Sequence, residues 1–309
     1  MRVNVMSIRI AFTNPNNADT IKVYRATSKI ELSALPDPIA TLAGTATSFS
    51  DVTAARNTVY YYVIGSYKGD DVIFTQNQQY GYFPDTGPGP SKLLRGNWNE
   101  GYFGTCTQAE LFAAQELCTA LGYVPNGAVN TTASNVWHKF ILDGKILFIP
   151  DLCMAADGWL NIYRAGLVYG VDGYGDRPAS FTGGNYNQKK TVTKNNRTYL
   201  VRLMKATAAP TSELVTDLTN GDARWGEGEW NRTMGRLGCG TYNFSTRSRL
   251  GNKPAYITNN TLFTGALTQH MTANGTIVQM FATLASDVPS TVSWANTYYN
   301  WRPVLELQL

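Results

Sequence analysis

The sequence predicts a two-part chain, an all-β sandwich followed by a larger α+β domain. In roughly the first eighty residues, apolar positions alternate with polar ones in short runs divided by turn clusters, the pattern of half-buried strands. Pro84-Asp-Thr-Gly-Pro-Gly-Pro90 then sets three prolines and two glycines in seven positions. Neither a helix nor a central strand tolerates that content, so it marks a boundary. Beyond it, capped helical stretches interleave with period-two strands. The expected parts are a sandwich over 1–84, a linker over 85–94 and the α+β domain over 95–309.

In the first part the apolar positions are Val3, Val5, Ile8, Ile10 and Phe12, then Ile21 and Val23, then Tyr60, Tyr62 and Ile64. Turn clusters Asn14-Pro-Asn-Asn17 and Lys68-Gly-Asp-Asp71 separate them. The succession Ile21–Arg25, Leu42–Asp51 and Asn57–Ile64 resembles a fibronectin type III/Ig-like domain, with the tyrosine-rich strand where that family places its corner tyrosine. The resemblance implies a fold rather than a role, since such modules serve as spacers, docking units and adhesion units alike. If extended, the Pro/Gly linker spans about 20 Å, at roughly 3.1 Å per residue.

The second part opens with a capping box, Thr107-Gln-Ala-Glu110. Leu111, Ala114, Leu117, Cys118 and Leu121 follow on one face and Gly122 stands at the C′ position, predicting a helix over about 108–121. Asp157 is placed to cap a shorter helix through Trp159, Ile162 and Tyr163 to Gly166. Glu229 opens a third, with Trp230, Met234 and Leu237 on one side. Strands are expected at Trp137–Leu142, Ile146–Ile149, Thr191–Thr193 and Tyr199–Met204. At the end, Leu305, Leu307 and Leu309 alternate with Glu306 and Gln308, which predicts a strand with one buried and one wet face. Pro303 cannot donate to a ladder, so pairing is expected to be strongest after it.

That last stretch, Trp301-Arg-Pro-Val-Leu-Glu-Leu307, resembles the terminal motif of a group of tailed-bacteriophage virion structural proteins. Gly144–Pro150, Trp159–Gly170, Tyr199–Leu203 and Glu229–Arg232 fit the same group in the same order, so the resemblance covers roughly residues 95 to 309. It implies a compact C-type-lectin-like fold for the second domain and a non-enzymatic virion role as a decoration, collar or tail-fibre component. Partners would then be other virion proteins and further copies of this chain, on a particle assembled in the host cytoplasm. An adhesin gripping host surface glycan or protein is the second reading. A polysaccharide depolymerase is the third.

Composition narrows the classes. With 43% hydrophobic and 12% aromatic residues the chain can build real cores. A net charge of +4 without any Lys/Arg run argues against nucleic acid as a partner. No apolar run reaches the roughly 18 residues of a membrane span, and Arg2–Ile10 alternates where a signal peptide would be continuously apolar. Cys106, Cys118, Cys153 and Cys239 form no C-x-x-C pair and are expected to be free buried thiols. His138 and His270 have no second ligand at helical or turn spacing, so no zinc site is expected, and no cofactor motif is present.

Three stretches have the composition for chemistry or contact. Glu227 and Glu229, with Asp222 before them and Trp225 and Trp230 beside them, have the composition of a sugar-hydrolysing pair; they also read as a polar loop residue and a first-turn acid. Asp172 and Asp176 in Gly170–Asp176 are hard oxygen donors suited to Ca²⁺, or else a solvated turn. Residues 240–300 hold Tyr242, Phe244, Tyr256, Phe263, Trp294, Tyr298 and Tyr299 among many Asn, Thr, Ser and Gly, a mixture suited to adaptable recognition. Trp225, Trp230, Tyr242, Phe244, Tyr256, Trp294, Tyr298 and Tyr299 form the expected partner surface, and self-association is the default for a virion part.

Overall fold

The computed structural model describes residues 7–14, 17–178, 181–216, 218, 227–237, 266–280, 290–295 and 299–309. Val3, Val5, Phe263 and Cys239 lie outside them. The secondary structure is mostly β-strand, arranged in several sheets. The chain divides into two compact units, one of residues 1–86, 97–99 and 309, the other of residues 87–96 and 100–308. Among the described residues no helix is long and apolar enough to cross a membrane.

In the first unit β1 (Ile8–Ala11) pairs with β4 (Ser48–Asp51), while β3 (Pro38–Ala43), β2 (Thr20–Ala26), β5 (Thr58–Lys68) and β6 (Asp71–Phe74) lie side by side. Strand β7 (Gln78–Tyr82) joins the other half of β5. The sequence-predicted inward positions Ile8, Ile10, Ile21, Val23, Tyr60, Tyr62 and Ile64 are all buried in one core. Period-two burial explains most of this, but one polar group sits inside. Asp51, 1% exposed, accepts from Tyr62 Oη and Arg25 Nη1, both at 2.7 Å, and from the Thr53 N–H at 2.9 Å. Burial pushes its carboxyl up, but these donors outweigh burial and hold it below the ordinary carboxylate value.

The second unit is built on a seven-stranded sheet. Its order is β13 (Lys190–Lys194), β14 (Arg197–Arg202), β19 (Val304–Leu307), β11 (Lys145–Pro150), β10 (Val136–Leu142), β9 (Glu100–Thr107) and β8 (Arg95–Gly96). Two smaller sheets accompany it: β12 (Ala155–Ala156) with β18 (Asn300–Trp301), and β15 (Ala266–Met271), β16 (Ile277–Met280) and β17 (Ser290–Val292). Three short helices complete the described part, α1 (Ala114–Leu121), α2 (Trp159–Arg164) and α3 (Glu229–Arg232), the last followed by a 3₁₀ turn over Met234–Leu237.

Three expectations are corrected here. The last strand does not have a wet face: it lies between β14 and β11, so Glu306 is 7% exposed and buried beside Leu305 and Leu307, whereas Leu309, past its end, is 50% exposed. A central strand is covered on both sides, which alternation alone cannot reveal. The first helix begins at Ala114 rather than near 108. Glu110 still accepts from the Thr107 N–H at 2.7 Å, but it closes only a turn, since the backbone is extended at Ala113 (φ −74°, ψ 157°), next to the Phe112 carbonyl that accepts from Trp137 Nε1 at 2.8 Å. Glu116 then starts the helix proper, accepting from the Ala113 N–H, and Gly122 ends it in the left-handed region at φ 61°.

The Pro/Gly stretch, expected as a linker, is bound to the second unit over its later half. The Lys139 ammonium, on a fully buried side chain of β10, donates to the carbonyls of Gly87, Pro88 and Pro90 at 3.3, 3.0 and 2.7 Å. The rings of Phe103 and Phe148 stand 4.9 and 5.8 Å from it. A proline-rich chain leaves its carbonyls open as acceptors, and a buried cation needs them. Cys106, Cys118 and Cys153 are buried thiols outside any disulfide. Burial pushes the Cys106 and Cys118 thiols up to about 12 and about 11.

Candidate functional site

Among the described residues of the second unit, a buried charged cluster beside a cleft joins β14, β19 and α3. Arg202, near the end of β14, is 4% exposed, and its guanidinium faces two carboxylates. Its terminal nitrogens reach both oxygens of Glu229 at 2.7 Å, and its Nε reaches Glu306 at 3.1 Å. Glu306 also meets Lys145 Nζ at 2.9 Å, and Glu229 also accepts from the Lys205 N–H at 2.8 Å. Burial alone would drive the Glu229 carboxyl up, yet the Arg202 charge and these hydrogen bonds hold it below the ordinary value. Burial likewise disfavours charge on Arg202, and the two glutamates overcome it, so its pKa is raised.

Backbone packing sets this cluster. Gly228, just before α3, lies so close to Ala206 that an added Cβ would sit 1.9 Å from its carbonyl oxygen. That approach lets the Glu229 N–H bond the Lys205 carbonyl at 3.0 Å and delivers the Glu229 side chain to Arg202. The loop across from it, 170–176, is fixed from below: Tyr163 Oη donates to the Tyr174 carbonyl at 2.9 Å and Tyr169 Oη donates to the Asp176 carbonyl. Thr211 Oγ1 donates to the Asp176 carboxylate. Between the loop and the cluster opens a cleft of about 430 Å³, whose lining includes Tyr169, Asp176, Lys205 and Gln269. A hollow of about 160 Å³ beside it is lined by Glu227, Glu229, Lys145 and Lys205 among others.

Comparison with protein-family models, with curated proteins and with solved structures finds no match.

The partner surface expected from sequence is not assembled among the described residues. Trp225, Tyr242, Phe244, Tyr256 and Tyr298 lie outside them, as does Asp222. Trp230 corrects its expectation: it is 0% exposed in the core, with the Arg302 guanidinium 5.4 Å over its ring, so it offers no platform to a ligand. A tryptophan on the inner face of a helix is core by the same amphipathic pattern that placed it there. Trp294 is half-buried and meets Phe181 edge-on at 5.1 Å. Tyr299 is half-buried, and its backbone exchanges hydrogen bonds with Asp157 at 2.6 and 3.1 Å.

Glu229, Asp172 and Asp176, three of the carboxylates singled out by sequence, have protein partners. Glu229 is held ionised by Arg202, the reverse of what a general acid for glycoside cleavage needs. Asp172 accepts from Asn187 Nδ2 at 2.8 Å, and among the described residues no group of three or more His, Cys, Asp or Glu side chains is placed to hold a metal ion. His138 bridges Tyr102 Oη at 3.0 Å and Asp151 at 3.1 Å. Sequence reasoning missed Arg202, Glu306, Lys145, Lys205 and Gln269. A signal was there, since an arginine and a glutamate inside otherwise apolar strands are seldom buried unless they pair.

His270 sits below the cluster on β15, fully buried. Its Nδ1 accepts from the Ala206 N–H at 3.2 Å and its Nε2 lies 3.1 Å from the Ala209 carbonyl, which suits the neutral ring with its proton on Nε2. Burial lowers its pKa below the ordinary 6.5. The folded unit thus binds fewer protons than the unfolded chain just below that value. The stability it contributes is complete above about pH 6.5 and falls as pH drops toward the folded value. Glu229, also depressed, adds a second decline below its ordinary 4.5. Thermal melts from about pH 8 to 4 are expected to show both stages. His270→Asn, which keeps an acceptor toward Ala206, should flatten the upper one, and melting unchanged down to about pH 5 would contradict the assignment.

Proposed function

We propose that this chain is a non-enzymatic structural protein of a tailed-bacteriophage virion, a decoration, collar or tail-fibre component whose C-type-lectin-like second unit is displayed by a fibronectin type III/Ig-like first unit. The observation that carries the reading is the meeting of all five segments that bear the sequence resemblance. Val304–Leu307 pairs with Tyr199–Arg202 on one side and with Leu147 and Phe148 on the other. Arg202 joins Glu229, the Leu203 N–H bonds the Val168 carbonyl at 2.9 Å, and Arg302 covers Trp230. Segments spread from residue 144 to 307 thus form one contiguous framework.

Each residue of Trp301–Leu307 except Pro303 has a structural task in that framework. Trp301 packs edge-on to Tyr123 at 4.9 Å, the Arg302 Nη1 donates to the Asp151 carbonyl at 2.9 Å, and Glu306 closes the cluster with Arg202. Val304, Leu305 and Leu307 are buried. A motif of this kind specifies a scaffold, which supports kinship of fold and leaves no residue of the motif for catalysis. In the first unit, the Ala55 N–H bonds Tyr60 Oη at 3.0 Å, five positions along the chain, which supports the corner-tyrosine reading.

The test is to purify intact particles of the encoding phage on a density gradient and examine them by mass spectrometry and cryo-electron microscopy. The chain is expected in stoichiometric amounts, with the second unit resolved in repeated copies on the particle. Its absence from washed particles overturns the proposal. Release of reducing ends from a capsular polysaccharide by the pure protein would replace it with the depolymerase reading.

A further inference from the structure

We propose that the cleft above Arg202, Glu229 and Glu306 is a saccharide-binding site that takes a sugar unit of a neutral glycan by hydrogen bonding, without a metal ion. Its volume, about 430 Å³, falls within the range of small-molecule sites. Its charge is balanced: Lys145, Arg202 and Lys205 stand against Asp176, Glu229 and Glu306. The Arg202 guanidinium is already held by two carboxylates, so a phosphate or carboxylate ligand would have to displace one of them. A hydroxyl donates and accepts at once, and suits a wall on which cations and carboxylates alternate.

Gln269 supplies an independent observation. It is 2% exposed and lines the cleft, and its amide nitrogen donates to the Leu203 carbonyl at 2.8 Å. Its carbonyl oxygen makes no hydrogen bond among the described residues, which leaves a nearly buried acceptor open to a ligand hydroxyl. Lys205 is exposed, and its ammonium makes no hydrogen bond among the described residues. Leu200, Pro210 and Val171, the last 46% exposed, add an apolar edge against which the C–H face of a pyranose can rest. The inference does not rest on the virion reading, since it concerns what this cleft binds wherever the protein resides.

The experiment is saturation-transfer NMR and titration calorimetry on the full chain in EDTA. The probes are D-glucose, D-galactose and N-acetyl-D-glucosamine, with D-glucuronate and inorganic phosphate as the charged comparison. At least one neutral sugar is expected to bind, and Gln269→Leu and Lys205→Ala are each expected to weaken it about tenfold. If Gln269→Leu fails to fold, Lys205→Ala carries the test, because that side chain is exposed and outside the core. No binding by any neutral sugar, binding that survives both substitutions, tighter binding of phosphate or glucuronate, or a requirement for added Ca²⁺ would each overturn the proposal.

Discussion

Arg202→Ala is expected to destabilise the second unit by about 3–5 kcal/mol, because it leaves Glu229 and Glu306 in a site built around the missing cation. Their side chains are 12% and 10% exposed, too little for water to replace the guanidinium. A surface pair in the same unit provides the contrast. Lys194 meets Glu116 at 2.7 Å, but Glu116 is 46% exposed, so Lys194→Ala should change stability by about 1 kcal/mol or less. Denaturant titration of both variants decides the matter, and comparable losses would show that the Arg202 cluster is screened like a surface pair. A triple variant, Arg202→Met with Glu229→Gln and Glu306→Gln, should recover much of the loss, because it removes charge together with its counter-charge.

Deleting residues 303–309 is expected to abolish folding of the second unit. Val304, Leu305 and Leu307 are buried, and side chains of this kind contribute about 1.5–3 kcal/mol each. Their sum rivals the whole stability of an ordinary domain, about 5–15 kcal/mol. The deletion also splits the seven-stranded sheet between β14 and β11 and removes Glu306 from Arg202. Circular dichroism melts of the truncated chain should lose one of two cooperative transitions, while the transition of residues 1–86 persists. A truncated protein with both transitions at their original temperatures would mean that β19 is dispensable.

Local rules placed most strands within a residue or two. Val136–Leu142, Lys145–Pro150 and Lys190–Lys194 stand almost where β-branched and aromatic alternation put them. The same rules placed the first helix six residues too early, because Thr107 and Glu110 satisfy each other locally whether or not a helix follows. The backbone is extended at Ala113, beside a Phe112 carbonyl that accepts from Trp137, distant in sequence. The site fared less well. Arg202 and Glu306 lie 104 positions apart, and no periodicity within either strand says that the two strands are neighbours.

By itself, the sequence determined which segments are extended and which side chains prefer to leave water, since both follow from nearest-neighbour sterics and side-chain chemistry. Only the tertiary structure decided that the last strand is central rather than one-faced, that Glu306 is an interior ion, that Trp230 is core, and that Lys139 binds the Pro/Gly segment. The reason is common to all four. A polar group is placed by whichever partner the fold brings within hydrogen-bonding reach, and that partner is set by strand order and not by the residues beside it in the chain.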